Sequence, residues 1–226
     1  MASTAPSDDA RVTIVGFGSL LSEKSARSTF GDGVKNFRLA RMVNYRRVFA
    51  HPASVFFERG IANLSTKEIA SLSVEPAAGS SFLISVFDLP ESMLPSFYER
   101  EEEFRIINAD FLELDGAAGG KGLMCTRWTD EEYIHHHGQE VFDRLYKRHG
   151  LSTIWGWDEK SGILPCRVYL RHCLLSVKKL GDHVYEDFVT TTFLGDRKTT
   201  IKEYIAANPS IMDELPPPHL AERYNG

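Results

Sequence analysis

The order of elements predicts an α+β fold: a small closed or strongly curved mixed sheet, barrel-like, with helices packed outside it. Two observations carry this reading. Up to residue 128 the chain is mainly short apolar, β-branched or aromatic runs separated by turn residues, the pattern of strands. From Thr129 onward, acidic starts and glycine ends mark helices instead. A doubly wound parallel sheet would alternate the two, so strands followed by helices argue against it. No internal repeat or low-complexity linker interrupts the chain. The expectation is a single domain over residues 11–226, mainly helical in its last third, after a disordered tail at residues 1–10.

Element by element, RVTIVGF (11–17) is apolar and β-branched and reads as a buried strand. LARMVNYRRVFA (39–50) is mixed but strand-like. Residues 61–64 and 72–76 read as short strands on either side of STKEIA. After the turn AAGSS, FLISVFDL (82–89) is a strand. A short helix is expected after Pro90, then strands at 104–114 and 122–128 split by DGAAGGKG. TDEEY opens the first of the later helices, and EVFDRLYKRHG ends the next at Gly150. Further helices are expected near 167–179, 184–194 and 201–207.

Composition narrows the function. The 226 residues suffice for a substantial core, with 42% hydrophobic and 25% charged residues, ordinary for a globular protein. A net charge of −5 with interspersed signs gives no reason to expect nucleic acid or an anionic membrane as partner. No apolar run approaches bilayer length. MASTAPSDDA lacks the basic start and apolar segment of a secretory signal. Cys125, Cys166 and Cys173 form no CxxC pair, so neither a disulfide frame nor a zinc ribbon is indicated. A reducing, cytoplasmic setting is the expectation.

Two stretches carry chemistry. In VTIVGFGSLL (12–21), a strand runs into Gly16-Phe17-Gly18. The dinucleotide fingerprint needs a third glycine, which is absent. The serine-hydrolase elbow needs G-x-S-x-G, and Ser19 does not fit it. GDGVK lacks the spacing of a phosphate-binding loop. Two readings stay open: the glycines shape a tight strand exit, or the turn faces its amides to one side and holds a carboxylate or carbonyl oxygen.

The second stretch is MLPSFYEREEEFRI (93–106). At about 100° per residue, Met93, Leu94, Phe97 and Tyr98 share an apolar stripe, and Glu101 falls near its middle. Glu99 and Glu103 point away, with Glu102 on the flank. An inward carboxylate among aromatics is desolvated, which raises its pKa toward the range of a general base and acid. An ion pair with Arg100, Arg105 or another arginine accounts for the same position structurally.

Through these and further residues the chain resembles the γ-glutamylcyclotransferase-like proteins, which include the plant proteins named for avirulence-induced genes. FGSLL is similar to the family's strand-ending Tyr-Gly-Ser loop, with Phe17 in place of tyrosine. VEPAAGSSFLISVFDLP resembles its turn into the central strand. FYEREEEF resembles its Leu-Asp-x-x-Glu or Leu-Asp-x-Arg-Glu signature and places the functional glutamate on Glu101. PCRVYLRHCLLSVKKLGDHVYEDF resembles its Pro-Ser-x-x-Tyr segment and places the motif tyrosine on Tyr169. The matches run in family order from about residue 12 to 188. Tyr98 stands for the motif aspartate, Cys166 for serine, and Ser85 where glycine is common.

The resemblance implies cofactor-free cyclisation of a γ-glutamyl amide to 5-oxoproline and a free amine, with Glu101 as general base and acid. It implies a substrate pocket at Phe17, Gly18, Ser19, Leu20 and Tyr169, no metal, a small-molecule γ-glutamyl substrate, and room for a homodimer. The alternatives are a non-catalytic member of the fold that binds a small acid or a protein, or a γ-glutamylamine cyclotransferase.

Other features read as structural. His135-His136-His137 lacks helical metal-ligand spacing and fits a polar helix end before Gly138. Cys166 and Cys173 share a helix face as buried thiols. Trp155 and Trp157 in IWGWDE either pack or gate a pocket. LPPPHLAERYNG reads as an extended surface segment that could cover the site or a neighbouring subunit.

Overall fold

The computed structural model describes residues 10–226. All of the expected tail except Ala10 lies outside them. In chain order the elements are β1 (Arg11–Gly16), α1 (Glu23–Phe30), β2 (Lys35–Pro52), α2 (Ser54–Glu58), β3 (Glu68–Pro90), α3 (Leu94–Arg100), β4 (Arg105–Leu112) and β5 (Ala118–Thr126). There follow α4 (Asp130–His137), α5 (Gln139–Leu145), β6 (Leu164–Pro165), α6 (Arg167–Lys179), α7 (Asp182–Thr191), β7 (Thr192–Leu194), α8 (Ile201–Ala207) and α9 (Ala221–Tyr224). The strands hydrogen-bond in the order β6-β3-β1-β5-β4-β2-β7, and β3 also pairs with β2. The circuit β3-β1-β5-β4-β2 therefore closes on itself. It is a mixed barrel, because β1 is antiparallel to β3 but parallel to β5. The fold is α+β, as the element order predicts.

The chain divides into two compact units. The first takes in the described residues up to Val43 together with Leu83–Cys125; the second is Asn44–Phe82 with Thr126–Gly226. In the first unit, β1 sets Ile14 opposite Phe87 and Gly16 opposite Ser85. Ile14, Phe87, Phe30 of α1 and Phe97 of α3 are buried there, with Phe30 6.4 and 6.5 Å from the rings of Phe87 and Phe97. Each such side chain contributes about 1.5–3 kcal/mol by leaving water. In the second unit, α6 buries Val168, Leu170, Cys173, Leu174 and Val177, a helical period. Arg47, fully buried, lies 4.8 Å from the Phe82 ring and 4.6 Å from the Phe188 ring, with Asp187 at 2.9 Å. Burial pulls its pKa down to about 10, against the pull of Asp187.

Several expected elements differ; the helix expected to end at Gly150 stops at Leu145, and the C-terminal segment expected to be extended forms helical turns that bury Tyr224. Residues 61–64 do not form a strand; they offer one bridge, Asn63 to Glu68. The Asn63 carboxamide accepts from Ser65 Oγ and the Thr66 amide, and Lys67 turns with φ +58°. This is an asparagine-centred turn competing with the ladder. Residues 72–76 and 82–89 are parts of a single β3. Gly79 takes φ +78° within it, and its amide donates to Asn44 Oδ1 at 3.1 Å, so the irregularity does not end the strand. Residues 184–194 are not all helix: α7 stops at Thr191, and Thr192 leaves it to pair parallel with Arg47 of β2. Consecutive β-branched threonines favour that exit.

The helices α6 and α8 occupy the expected residues. Thr129 and Thr200 close capping boxes with Glu132 and Glu203. His135–His137 end α4, and Gly138 follows with φ +93°. Among the described residues, no group of three or more His, Cys, Asp or Glu is placed to hold a metal ion. No helix among them is long and apolar enough to cross a membrane.

Candidate functional site

The candidate site belongs to the first unit and grows from the end of β1. Gly16 is required by a close approach: a Cβ there would lie 2.5 Å from the Leu20 carbonyl oxygen and 2.6 Å from Ser85 Oγ. The chain can thus fold back over β3, where Ser85 Oγ donates to Leu20 O at 2.7 Å. Ser19–Leu21 forms one 3₁₀ turn, in which the amides of Leu21 and Ser22 donate to Gly18 and Ser19 carbonyls. Among the described residues, the amides of Gly18, Ser19 and Leu20 have no protein acceptor. Phe17 and Leu20 bury their side chains. These two positions therefore supply packing and backbone, while Ser19 supplies the loop's hydroxyl.

Glu101 lies just past the end of α3 rather than inside it. Its amide closes the helix on Phe97 O at 3.1 Å, and its carbonyl accepts from the Phe104 amide at 2.9 Å. The side chain nevertheless turns inward, 14% exposed, and Arg100 Nε donates to Oε1 at 2.8 Å. The same guanidinium donates through Nη2 to Ser19 Oγ at 3.0 Å and through Nη1 to Thr29 Oγ1. One arginine thus ties the carboxylate to the loop after β1. The Cys125 thiol, at the end of β5, lies beside Glu101 and helps to lower its pKa.

Burial raises the Glu101 pKa, while the charge and hydrogen bond of Arg100 and the Cys125 thiol hold it down. Cys125 is pushed well above the usual thiol range by burial and by the neighbouring carboxylate, so it is neutral here. The sum is a partly desolvated carboxylate, held by Arg100 Nε, beside a loop with unused amides. Such a group can take a proton from an amine and return it.

Phe17, Gly18, Ser19, Leu20 and Glu101 all lie in this unit, and Arg100 joins Ser19 to Glu101. Tyr169 belongs to the second unit, where its ring lies 6.2 Å from Phe49, 5.0 Å from Phe56 and 6.4 Å from His172. Cys166 is buried near it, its thiol donating to Ile61 O at 3.2 Å and its pKa pushed up to about 12 by burial. A groove of about 560 Å³ in the second unit, lined by Gly60–Asn63, Val168 and residues 214–218, contains none of the expected site residues. Tyr98 is 46% exposed and does not share the inward stripe with Phe97. Helix α3 ends before the stripe completes its second turn.

No protein-family model matches the chain, and no curated protein matches it. Among solved structures it is similar to a gamma-glutamyl cyclotransferase, with TM-score 0.41 and 13% identity over 60% of this chain and 86% of that one. It is similar to the Homo sapiens protein titled uncharacterized protein loc79017, with TM-score 0.41 and 14% identity over the same shares, 60% and 86%. It is similar to At3g28950.1 of Arabidopsis thaliana, with TM-score 0.39 and 12% identity over 65% and 86%.

In the sequence Arg100 stands only as a rival explanation for Glu101, and Cys125 and Thr29 do not stand out as site residues. Arg100 carried a signal, since it adjoins the carboxylate. Cys125 carried none, because its approach depends on where β5 ends relative to the end of α3.

Proposed function

We propose that this protein is a cyclotransferase that acts on a γ-glutamyl amide without an organic cofactor, with Glu101 as general base and acid. The observation that carries this reading is the inward Glu101 carboxylate, its pKa raised by burial, tied through Arg100 to Ser19. In the reaction the substrate's α-amine gives a proton to Glu101, and its nitrogen attacks the γ-carbonyl carbon. The bond from that carbon to the leaving nitrogen breaks, and Glu101 returns the proton to the departing amine. The products are 5-oxoproline and a free amine. Both reacting groups belong to one molecule, so holding it folded supplies much of the acceleration. The unused amides of Gly18, Ser19 and Leu20 are the candidate donors for the oxyanion. Arg100 keeps the carboxylate aimed, and the neutral Cys125 thiol beside it favours its charged form.

The Arg100–Glu101 ion pair is also the observation that favours the second reading, a non-catalytic member that binds a small acid through Arg100 and the loop amides. One experiment separates the two. Purified protein is incubated with a panel of γ-glutamyl amides, including γ-glutamylamines, and 5-oxoproline is measured. Release by the wild type, falling about 10²–10⁴-fold in Glu101→Gln, supports the enzyme. Turnover by Glu101→Gln at the wild-type rate removes Glu101 from the mechanism. Silence across the panel, with a small acid still raising the melting temperature, supports the binder.

A further inference from the structure

A second charged cluster stands in the second unit, independent of the Glu101 chemistry. Glu75 of β3 is 7% exposed, and three arginines converge on its carboxylate. Arg46 of β2 reaches Oε1 through Nη2 at 2.6 Å and Nε at 2.8 Å. Arg197 reaches Oε1 through Nε and Oε2 through Nη2, both at 3.4 Å. Arg127 places Nη1 3.5 Å from Oε2. An arginine keeps its proton at any ordinary pH, so three positive charges face one negative charge. The residue is a charge of +2 inside a chain whose net charge is −5.

The arrangement is held rather than incidental. Arg127 donates to the carbonyls of Trp128 at 3.3 Å and Trp155 at 2.5 Å. Arg197 donates to the carbonyl of Trp157 at 2.9 Å and to that of Gly195. The IWGWDE segment therefore contributes backbone acceptors that fix two guanidiniums. Arg197 itself sits at φ +58°, a conformation that a side chain rarely adopts. Neutral carbonyls orient these cations without cancelling their charge. The side chains of Arg46 and Arg127 are 27% and 34% exposed, so the cluster is open to water on their side. Among the described residues, Nη1 of Arg46 has no partner.

We propose that Arg46, Arg127 and Arg197, held around Glu75, form a binding site for a small doubly charged oxyanion of the phosphate class. Two residual charges call for a dianion, since a monocarboxylate leaves one unbalanced. The guanidinium nitrogens that face water around Arg46 and Arg127 are charge-assisted donors of the kind that phosphate oxygens accept from. Glu75 serves as the internal counter-ion that keeps the empty cluster together.

The test uses the full chain and inorganic phosphate in isothermal titration calorimetry, with ionic strength held constant by potassium chloride. The expected result is saturable one-to-one binding that Arg46→Gln weakens about tenfold. Glu75→Gln is expected to tighten binding about tenfold, because it releases the third positive charge toward phosphate. A purely structural cluster predicts no such gain. If Glu75→Gln does not fold, Arg127→Lys replaces it, keeping the charge but losing the fork, with about tenfold weaker binding expected. Absence of binding by the wild type overturns the proposal, as does an affinity unchanged by these substitutions. Succinate binding as tightly as phosphate overturns the assignment to the phosphate class.

Discussion

At the scale of single residues, the balance of forces on Glu101 has a readable consequence. Burial lifts its pKa while Arg100 and Cys125 lower it. Removing either group therefore lifts it further. If Glu101 is the base, the ascending limb of the pH–rate profile lies above the ordinary glutamate range, and Cys125→Ala moves that limb to higher pH. A limb unmoved by Cys125→Ala excludes the thiol from the proton balance. Gly16 gives a second prediction. Gly16→Ala forces a Cβ against the Leu20 carbonyl and Ser85 Oγ, and is expected to cost about 1–3 kcal/mol in a denaturant titration. Ser85→Ala, which removes one buried hydrogen bond to Leu20 O, is expected to cost about 1 kcal/mol.

At the scale of elements, local signals predict well where local physics decides. Thr129 accepts from the Glu132 amide while the Glu132 carboxylate accepts from the Thr129 amide, and TDEEY displays that box in its letters. Thr129→Ala is expected to cost about 0.5–2 kcal/mol. For a chain of this length each kcal/mol lowers the melting temperature by about 2–4 °C, measurable by calorimetry. The same locality explains why α6 and α8 occupy the expected residues. The errors fall where partners are distant. The turn residues in AAGSS suggest a break, yet the Asn44 side chain receives the Gly79 amide and β3 continues. Helix α7 stops early because β2 offers Thr192 a ladder to join.

At the scale of the molecule, titrating groups set opposing trends of stability with pH. His172 is driven down to about 4 by burial and by Arg223 and Lys179, and its Nδ1 accepts the Gly226 amide at 3.1 Å. The folded state therefore prefers neutral histidine. This contribution is complete above the unfolded value of 6.5 and is lost as pH falls toward 4. Glu101 acts with the opposite sign. Its folded pKa is raised, so stability falls as pH rises from the ordinary glutamate range through the raised value. Denaturant titrations across pH should show wild type losing on the order of 2 kcal/mol between pH 6.5 and 4 relative to His172→Gln. Parallel curves for the two proteins would exclude His172 as the source.

Sequence alone determined the class of the fold and most of the later helices, because periodicity, caps and β-branching act over a few residues, whereas Glu101 turns inward from just past the end of α3 and not on the expected stripe. The sequence also placed the loop after β1, since two glycines around Phe17 mark a sharp exit. Tertiary structure alone decided that β3 runs unbroken, that Arg100 spans from Glu101 to Ser19, that Cys125 meets the carboxylate, and that three arginines gather on Glu75. Those pairs are separated by 81, 24 and up to 122 residues along the chain, and only strand register and helix ends bring them together.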